Sequence, residues 1–273
     1  MPGIIIEKEL CTRCNTCGSV CLMGIIMKAT ETTFPSIPDK SINYCLRCGH
    51  CESFCSQKAL TLDFLTEEKG SANVPNESVD PLELASYMKM RRSIRHFSSK
   101  PVSKDLITQV LDVARYAPSG GNGQPVKWHV VYDSSDVSKI ASLTIEWMRT
   151  ILNTSHPLSG YVRGIISIWD RGVDYICHNA PHLLFAHLPG ADPTNDNTDA
   201  AIAMTYFDIA APLYGFSTCW AGFVSMAAVE YKPLKDFIAL PEDRRVAYAM
   251  MLGYSTYKVT SIPRRNLVDV SWQ

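Results

Sequence analysis

Eight of the ten cysteines fall within residues 11–55, in two copies of one spacing. Each copy reads C-x2-C-x2-C-x3-C, where x is any other residue. The first copy is Cys11, Cys14, Cys17 and Cys21, and the second is Cys45, Cys48, Cys51 and Cys55. This spacing is typical of thiolates that bind cubane iron–sulfur clusters, so the sequence predicts two [4Fe–4S] clusters.

The fourth cysteine of each copy is predicted to bind the cluster of the other copy. The expected ligand sets are therefore Cys11, Cys14, Cys17 with Cys55, and Cys45, Cys48, Cys51 with Cys21. Disulfides would suit a secreted domain, but the N-terminal residues lack the basic region and cleavage site of an export signal. Structural zinc normally uses widely separated C-x2-C pairs. Thiolates held for metal imply a reducing compartment, and we expect a cytoplasmic protein.

This cysteine segment resembles a bacterial-type two-cluster ferredoxin. It departs from that pattern after each fourth cysteine, where Leu22 and Ser56 replace the usual proline. We expect a small ferredoxin-like domain over residues 1–64, with short strands at the N-terminus and near residues 24–27 and 60–64. Because so small a domain cannot build a large apolar core, the clusters are expected to stabilise it.

Length and composition leave room for a second, larger domain. The chain has 273 residues, of which 46% are hydrophobic, and its net charge is −1. Without a block of like charge, nucleic acid is not an expected partner. No run of about eighteen apolar residues occurs, so no membrane span is expected. Residues 65–80 are polar and contain Gly, Pro, Asn and Ser, which predicts a linker.

Residues 81–273 are predicted to form an α+β domain. Asp80 and Pro81 are typical of a helix start, and Ser103 is expected to cap a second helix. Further helices are predicted within 136–176, with a break near 156–160, at 200–214 and after Val229. Strands are predicted at 126–132, 182–188 and 245–253. The order of helices and strands shows no regular βαβ repeat, which favours α+β.

Two stretches of this domain have the composition of a ligand site. Residues 91–95 place three arginines and a serine within one turn, and guanidinium and hydroxyl groups bind phosphate oxygens well. Residues 119–125 form a small-residue loop in which glycines allow close backbone approach, and Asn122 and Gln124 offer amide donors and acceptors. Neither a dinucleotide-binding nor a P-loop fingerprint is present.

Three motifs, R-R-S-I-R-H-F, A-P-S-G-G-N-G-Q-P-V and G-F-S-T-C-W-A-G, occur in this order and resemble the nitroreductase family of flavoproteins. The resemblance covers residues 81–273 and implies FMN as cofactor, in a homodimer with FMN at the subunit interface. It implies that the FMN phosphate is bound by Arg91, Ser93 and Arg95, with Arg92 between them, and by a C-terminal basic residue, either Arg264 or Arg265. It implies that the flavin ring is lined by Pro118, Ser119, Gly120, Asn122 and Gln124, and its reactive edge by Ala221 and Gly222. The aromatic residue usual after Q-P is replaced by Val126.

Two clusters and one flavin in a single chain suggest a path for electrons. The expected function is an oxidoreductase in which the clusters relay electrons to FMN for reduction of a nitroaromatic, quinone or enone, without a catalytic side chain. The donor is either an external ferredoxin or NAD(P)H. The alternative is a non-catalytic electron carrier or redox sensor. Cys177 and Cys219 are expected to be small buried hydrophobes, and His178 and His182 to have structural roles.

Overall fold

The computed structural model describes residues 4–63, 79–190 and 196–273. The chain divides into two compact units, Met1–Ser78 with Gly121–Gly123, and Val79–Gly120 with Gln124–Gln273. Most of the linker predicted at 65–80 and the end of the strand predicted at 60–64 lie outside the described residues. Within the described ranges, no helix combines the length and apolar character needed to span a bilayer.

The N-terminal unit has little regular structure. Strands β1 (Ile4–Ile6) and β2 (Leu60–Leu62) pair antiparallel, while helices α1 (Thr16–Val20) and α2 (His50–Ser53) each lie within one cysteine copy. A 3₁₀ helix covers Asp39–Tyr44. The described apolar residues that are buried here are Ile26, Ala59, Leu60 and Leu62. A core this small contributes little stability by itself.

The prediction of a strand at residues 24–27 is wrong. Met27 forms only an isolated antiparallel bridge with Ser36. Gly24 has a φ of 61° and its N–H donates to the Cys21 carbonyl, so the chain turns here instead of extending. A left-handed residue at the start of a short apolar run prevents the run from continuing as a strand.

The two cysteine copies have the same backbone conformation at equivalent positions. Arg13 and Arg47 precede the second cysteine of their copies and have φ values of 57° and 53°. Asn15 and Gly49 follow that cysteine, with φ values of 65° and 73°, and each precedes a helix. Left-handed conformations cost non-glycine residues roughly 1–2 kcal/mol each. Their repetition shows that both loops adopt one specific shape.

The C-terminal unit is built on a four-stranded antiparallel sheet in the order β3–β4–β6–β5. The strands are β3 (Lys127–Val131), β4 (His182–Pro189), β5 (Ser217–Trp220) and β6 (Arg244–Gly253). The register of β4 against β6 shifts between Ala186 and His187. The strands predicted at 126–132, 182–188 and 245–253 are confirmed within one or two residues.

Helices cover both faces of this sheet. They are α3 (Pro81–Met90), α4 (Lys104–Ala114), α5 (Ser134–Ile151), α6 (Ser159–Trp169), α7 (Thr198–Ala210), α8 (Gly222–Glu230) and α9 (Lys232–Ile238). Along β4, Leu183 and Phe185 join the core that contains residues of α5 and α8, while Leu184 and Ala186 join the core that contains residues of α4 and α7. Successive side chains of a strand point to opposite faces, so one strand contributes to both cores. The α+β prediction is confirmed.

The predicted helix starts are confirmed by their caps. The Asp80 carboxylate accepts the N–H groups of Leu82 and Glu83 at 2.6 and 3.2 Å, and Ser103 Oγ accepts that of Leu106 at 3.3 Å. These side chains satisfy N–H groups that lack a partner within the helix.

The helix predicted after Val229 is confirmed as α9. Helix α8, which begins at Gly222, was not predicted, because its largely apolar run shows no helical periodicity. None of the residues of α3 is buried in the single chain, and Leu82 is 78% exposed.

Candidate functional site

Two cavities in the N-terminal unit are each lined by four cysteines. One is lined by Cys21, Cys45, Cys48 and Cys51. The other is lined by Cys11, Cys14, Cys17 and Cys55. Each cavity thus combines three cysteines of one copy with the fourth of the other. This is the grouping of the crossed ligand sets expected from the sequence.

The cysteines lie in partly apolar surroundings. Apolar side chains such as Ile26 and Leu62 complete the first cavity. Burial raises the pKa of the Cys51 thiol to about 11, because apolar surroundings disfavour the charged form. Two cysteine sulfurs accept hydrogen bonds from the backbone. The Arg47 N–H donates to Cys45 Sγ at 3.4 Å, and the Ala59 N–H donates to Cys55 Sγ at 3.3 Å. Such donors stabilise negative charge on sulfur.

Among the described residues, no group of three or more His, Cys, Asp or Glu side chains that could hold a metal ion is present. His50 also lines the first cavity, with its ring 6.0 Å from that of Phe54.

The three arginines of the basic turn after α3 have different surroundings. Arg91 lies 3.3 Å from the buried carboxylate of Asp208. Arg92 bonds the carbonyls of Lys89 and Met90 at the end of α3, at 3.1 and 3.4 Å. Arg95 is exposed and lines a cavity. Of the three, Arg95 is therefore the one that faces open space.

The cavity that contains Arg95 lies at the start of α8. Ala221 and Gly222 line it together with Arg95. Ala221, which precedes α8, makes no side-chain cap, so the first-turn N–H groups of this helix remain available to a ligand. The lining also includes Tyr161 and Phe223, whose rings stack 6.0 Å apart.

Five aromatic residues of this cavity were not predicted as site residues: Tyr161, Tyr175, His178, Trp220 and Phe223. His178 among them was expected to be structural. The rings of Tyr175 and His178 meet edge-on at 5.4 Å. The one available signal was Asp174, a short acidic residue before a polar turn, which is typical of a side chain that caps backbone N–H groups. That pattern does not indicate a ligand site by itself.

The small-residue loop contributes to a different recess. Pro118, Ser119 and Gln124 line a recess beside Trp128 and Asp199. Ser119 Oγ accepts the Gln124 N–H at 3.0 Å, and the Asp199 carboxylate accepts the Gly120 N–H at 3.0 Å. Three of the five residues predicted for the flavin ring thus line one recess of the chain, and the two predicted for its reactive edge line another.

Other predicted FMN residues lie outside both recesses. Asn122 groups with the N-terminal unit, where its Nδ2 donates to the carbonyls of Leu46 and Arg47 at 3.0 and 3.1 Å. Arg264 and Arg265 are exposed on a C-terminal tail without helix or strand.

The two cysteines outside the motifs are buried, as predicted. Burial raises the pKa of Cys177 well above its usual value. Burial also raises the pKa of Cys219, although Arg95 and a hydrogen bond with Ser93 oppose this. A thiol whose pKa is raised is a poor nucleophile at neutral pH. Both residues therefore pack as small hydrophobes.

The structural role predicted for His182 is confirmed. Its Nε2 accepts the Val102 N–H at 2.9 Å, and Nδ1 lies 2.7 Å from the Tyr132 carbonyl. Because Nε2 accepts, Nδ1 must carry the proton and donate to that carbonyl. The neutral ring thereby joins the chain before α4 to the end of β3.

Comparison with known proteins assigns the C-terminal unit. Residues 88–254, more than half of the chain, match the family model described as the Nitroreductase family. The chain belongs to the Nitroreductase family. Members related to this Nitroreductase-family chain are oxidoreductases, and this chain is one as well.

The relatives of this Nitroreductase-family chain are distant. A 4-nitrobenzoate reductase of Pseudomonas putida is 24% identical and covers 62% of this chain and 84% of its own. An iodotyrosine deiodinase of Danio rerio is also 24% identical and covers 75% of each chain. Among solved structures, a nitroreductase with bound FMN from Desulfitobacterium hafniense superposes with a TM-score of 0.57 at 19% identity, over 71% of this chain and all of the other. The structural similarity establishes the nitroreductase-like fold.

Proposed function

We propose that this chain is an FMN-dependent oxidoreductase in which two [4Fe–4S] clusters relay electrons to FMN for reduction of a small organic acceptor. The observation that carries the proposal is the pair of four-cysteine cavities in a chain whose C-terminal unit belongs to the Nitroreductase family. In this proposal residues 1–64 form the two-cluster domain, residues 65–80 a linker, and residues 81–273 the FMN domain.

The residues around the Arg95 cavity fit FMN. When bound, the flavin accepts electrons singly or in pairs and transfers a hydride. Free N–H groups at the start of α8, next to Ala221 and Gly222, favour an electron-rich ring edge because a helix N-terminus carries partial positive charge. Arg95 supplies a full positive charge in the same cavity. FMN bound in related structures supports this proposal.

A homodimer would complete the FMN site. In one chain, Arg95, Ala221 and Gly222 line one recess, while Pro118, Ser119 and Gln124 line another. In the proposed dimer, the loop recess of one protomer contributes to the cofactor site of its partner. The exposed apolar residues of α3, such as Leu82, are consistent with a surface that a second copy covers.

The cysteine cavities fit two cubane clusters. Such clusters, when bound, carry one electron at a time. The chain supplies four sulfurs per cavity, apolar walls that limit water, and N–H groups that stabilise charge on Cys45 and Cys55. The proposed ligands are Cys11, Cys14, Cys17 and Cys55 for one cluster, and Cys45, Cys48, Cys51 and Cys21 for the other.

The proposed acceptor is a nitroaromatic, quinone or enone. The name of the 4-nitrobenzoate reductase supports an aromatic nitro compound, and that of the iodotyrosine deiodinase supports an aromatic substrate more broadly. The electron donor is either a reduced ferredoxin or NAD(P)H. A relay through clusters favours the ferredoxin, since a hydride donor reduces a flavin directly.

Anaerobic stopped-flow tests the relay. Wild-type protein is mixed with reduced ferredoxin, and flavin absorbance is followed. Replacing both Cys14 and Cys48 with Ala should remove the clusters and slow flavin reduction by more than tenfold, while Cys177→Ala, which changes a cysteine outside the two motifs, should leave the rate unchanged. Equal rates of flavin reduction in the wild type and the cluster-free variant would contradict the relay.

A turnover screen separates the enzyme from a non-catalytic electron carrier. The reduced protein is offered a nitroaromatic, a quinone and an enone under anaerobic conditions. Multiple turnovers with at least one class are expected. A single reoxidation by protein partners alone, with no turnover of any small acceptor, would contradict the enzymatic proposal and favour the electron-carrier alternative.

A further inference from the structure

His178 is held at the Arg95 cavity by a strained backbone. His178 and Asn179 are consecutive non-glycine residues with φ values of 52° and 55°. Each such residue costs roughly 1–2 kcal/mol and persists only where surrounding groups enforce it. Strain of this kind concentrates at functional sites, so its occurrence at a cavity wall gives reason to ask what His178 does there.

Asp174 enforces this conformation. One oxygen of its carboxylate accepts the N–H groups of Ile176 and Cys177, both at 2.9 Å, and the other accepts that of Asn179 at 2.9 Å. Cys177 and Ile176 are buried, which anchors the turn to the core. His178 therefore projects from a rigid turn and is not part of a loose loop.

The His178 ring is available for a ligand. Among the described residues, no hydrogen bond to either ring nitrogen is present, and the ring's aromatic neighbour is Tyr175, edge-on at 5.4 Å. Burial lowers the pKa of His178, Arg95 and His96 lower it further, and Asp174 opposes them. A neutral imidazole offers one N–H donor and one acceptor nitrogen at neutral pH.

We infer that His178 contacts the substrate, donating a hydrogen bond to an oxygen of a planar acceptor that binds beside Ala221 and Gly222. This inference rests on the proposed function, because it requires flavin at the same cavity. The stacked pair Tyr161 and Phe223 lines that cavity as well, and aromatic rings of this kind pack against flat molecules. His178 would add the polar contact that fixes the orientation of the acceptor.

Binding of nitrobenzene to the oxidised, FMN-loaded protein tests this role, with the flavin spectrum as readout. His178→Phe is expected to raise the Kd for nitrobenzene about tenfold, the usual effect of losing one hydrogen bond. His178→Gln should stay within about threefold of wild type, because its amide still donates. His129→Gln is the matched control, since His129 also has a pKa lowered by burial but does not line the cavity.

Nuclear magnetic resonance of the imidazole nitrogens gives a readout independent of turnover. The His178 signals, assigned by their loss in His178→Gln, should shift when nitrobenzene is added to wild-type protein. Unshifted signals, an unchanged Kd in His178→Phe, or equal weakening in the Phe and Gln variants would each overturn the inference. So would loss of FMN from His178→Phe, which would make His178 a cofactor residue.

The two proposals fail in distinguishable ways. Wild-type protein that binds no FMN overturns both. Wild-type protein that binds FMN and reduces nitrobenzene, while His178→Phe binds nitrobenzene equally well, overturns only the role of His178.

Discussion

The guanidinium of Arg91 lies 3.3 Å from the carboxylate of Asp208, and that carboxylate is buried inside the C-terminal unit. Asp208 also accepts hydrogen bonds from the Thr218 hydroxyl and from the Trp220 indole at 3.4 Å. The residue expected from its motif to hold a phosphate therefore already neutralises an internal charge.

Arg91 should consequently matter for folding. Arg91→Met is expected to lower the free energy of unfolding by about 2 kcal/mol, because it leaves the Asp208 carboxylate buried without its cation. Arg92→Met should cost less than about 0.5 kcal/mol, since Arg92 bonds only carbonyls of its own helix end. Urea denaturation of FMN-free protein measures both. Adding Asp208→Asn to Arg91→Met should recover part of the lost free energy of unfolding. If the free-energy changes of the two single variants simply add in the double variant, Arg91 and Asp208 are not coupled.

Pairs of cysteine variants distinguish crossed from uncrossed cluster ligation. If Cys21 completes the cluster bound by Cys45, Cys48 and Cys51, then Cys21→Ala combined with Cys48→Ala damages one cluster only. Cys21→Ala combined with Cys14→Ala damages both, so it should lose about twice as much iron and acid-labile sulfide. Chemical analysis of anaerobically purified protein measures this, with Cys177→Ala as control. A greater loss of iron and sulfide from the variant with Cys21→Ala and Cys48→Ala than from the variant with Cys21→Ala and Cys14→Ala would mean that each copy binds its own cluster.

His187 should make stability depend on pH below neutrality. Arg244 Nε donates to His187 Nδ1 at 3.0 Å, and burial, together with this cation, lowers the pKa of His187 to about 4. An unfolded histidine has a pKa near 6.5, so between these values the unfolded chain binds more protons. Stability is therefore lost as pH falls from about 6.5 towards 4, and is unaffected by this group above that range.

The size of this effect is measurable against a variant. The full shift in the pKa of His187 would correspond to about 3 kcal/mol of unfolding free energy. Screening by solvent near the end of the strand reduces the expected contribution to about 1–2 kcal/mol. Urea denaturation at pH 7 and pH 5 should show a smaller loss of stability in His187→Gln than in wild type, because Gln still accepts from Arg244 but does not titrate. Equal losses of stability between pH 7 and pH 5 in wild type and His187→Gln would mean that groups other than His187 cause the acid sensitivity.

Gly253 marks a close approach next to the basic turn. A Cβ at this position would lie 2.7 Å from Phe97 Cδ1 and 2.7 Å from Pro181 Cδ. Gly253→Ala should therefore destabilise the protein by about 1–3 kcal/mol through overpacking. Gly164→Ala is the matched control, because a Cβ in that exposed helical position meets no neighbouring atom within 4 Å and should stabilise α6 by about 0.5–1 kcal/mol. Thermal unfolding followed by circular dichroism compares the two, and equal melting temperatures would contradict the close packing.

Local signals in the sequence predicted much of the C-terminal unit. Asp80 and Ser103 mark helix starts because a short polar side chain accepts N–H groups within its own turn. The strand at 182–188 was recognisable because both of its faces are apolar. Helix α8 was missed since an all-apolar run has no periodicity to read, and residues 24–27 were misassigned because Gly24 turns the chain.

What the sequence by itself determined is chemistry that depends on spacing along the chain: two sets of closely spaced thiols, a run of guanidiniums, and the helix caps. What only the tertiary structure decided is which groups face each other. It paired Arg91 with Asp208 and brought His178 to the cavity that contains Arg95. The physical reason is that these contacts join residues distant in the chain, and packing, not local pattern, sets such distances.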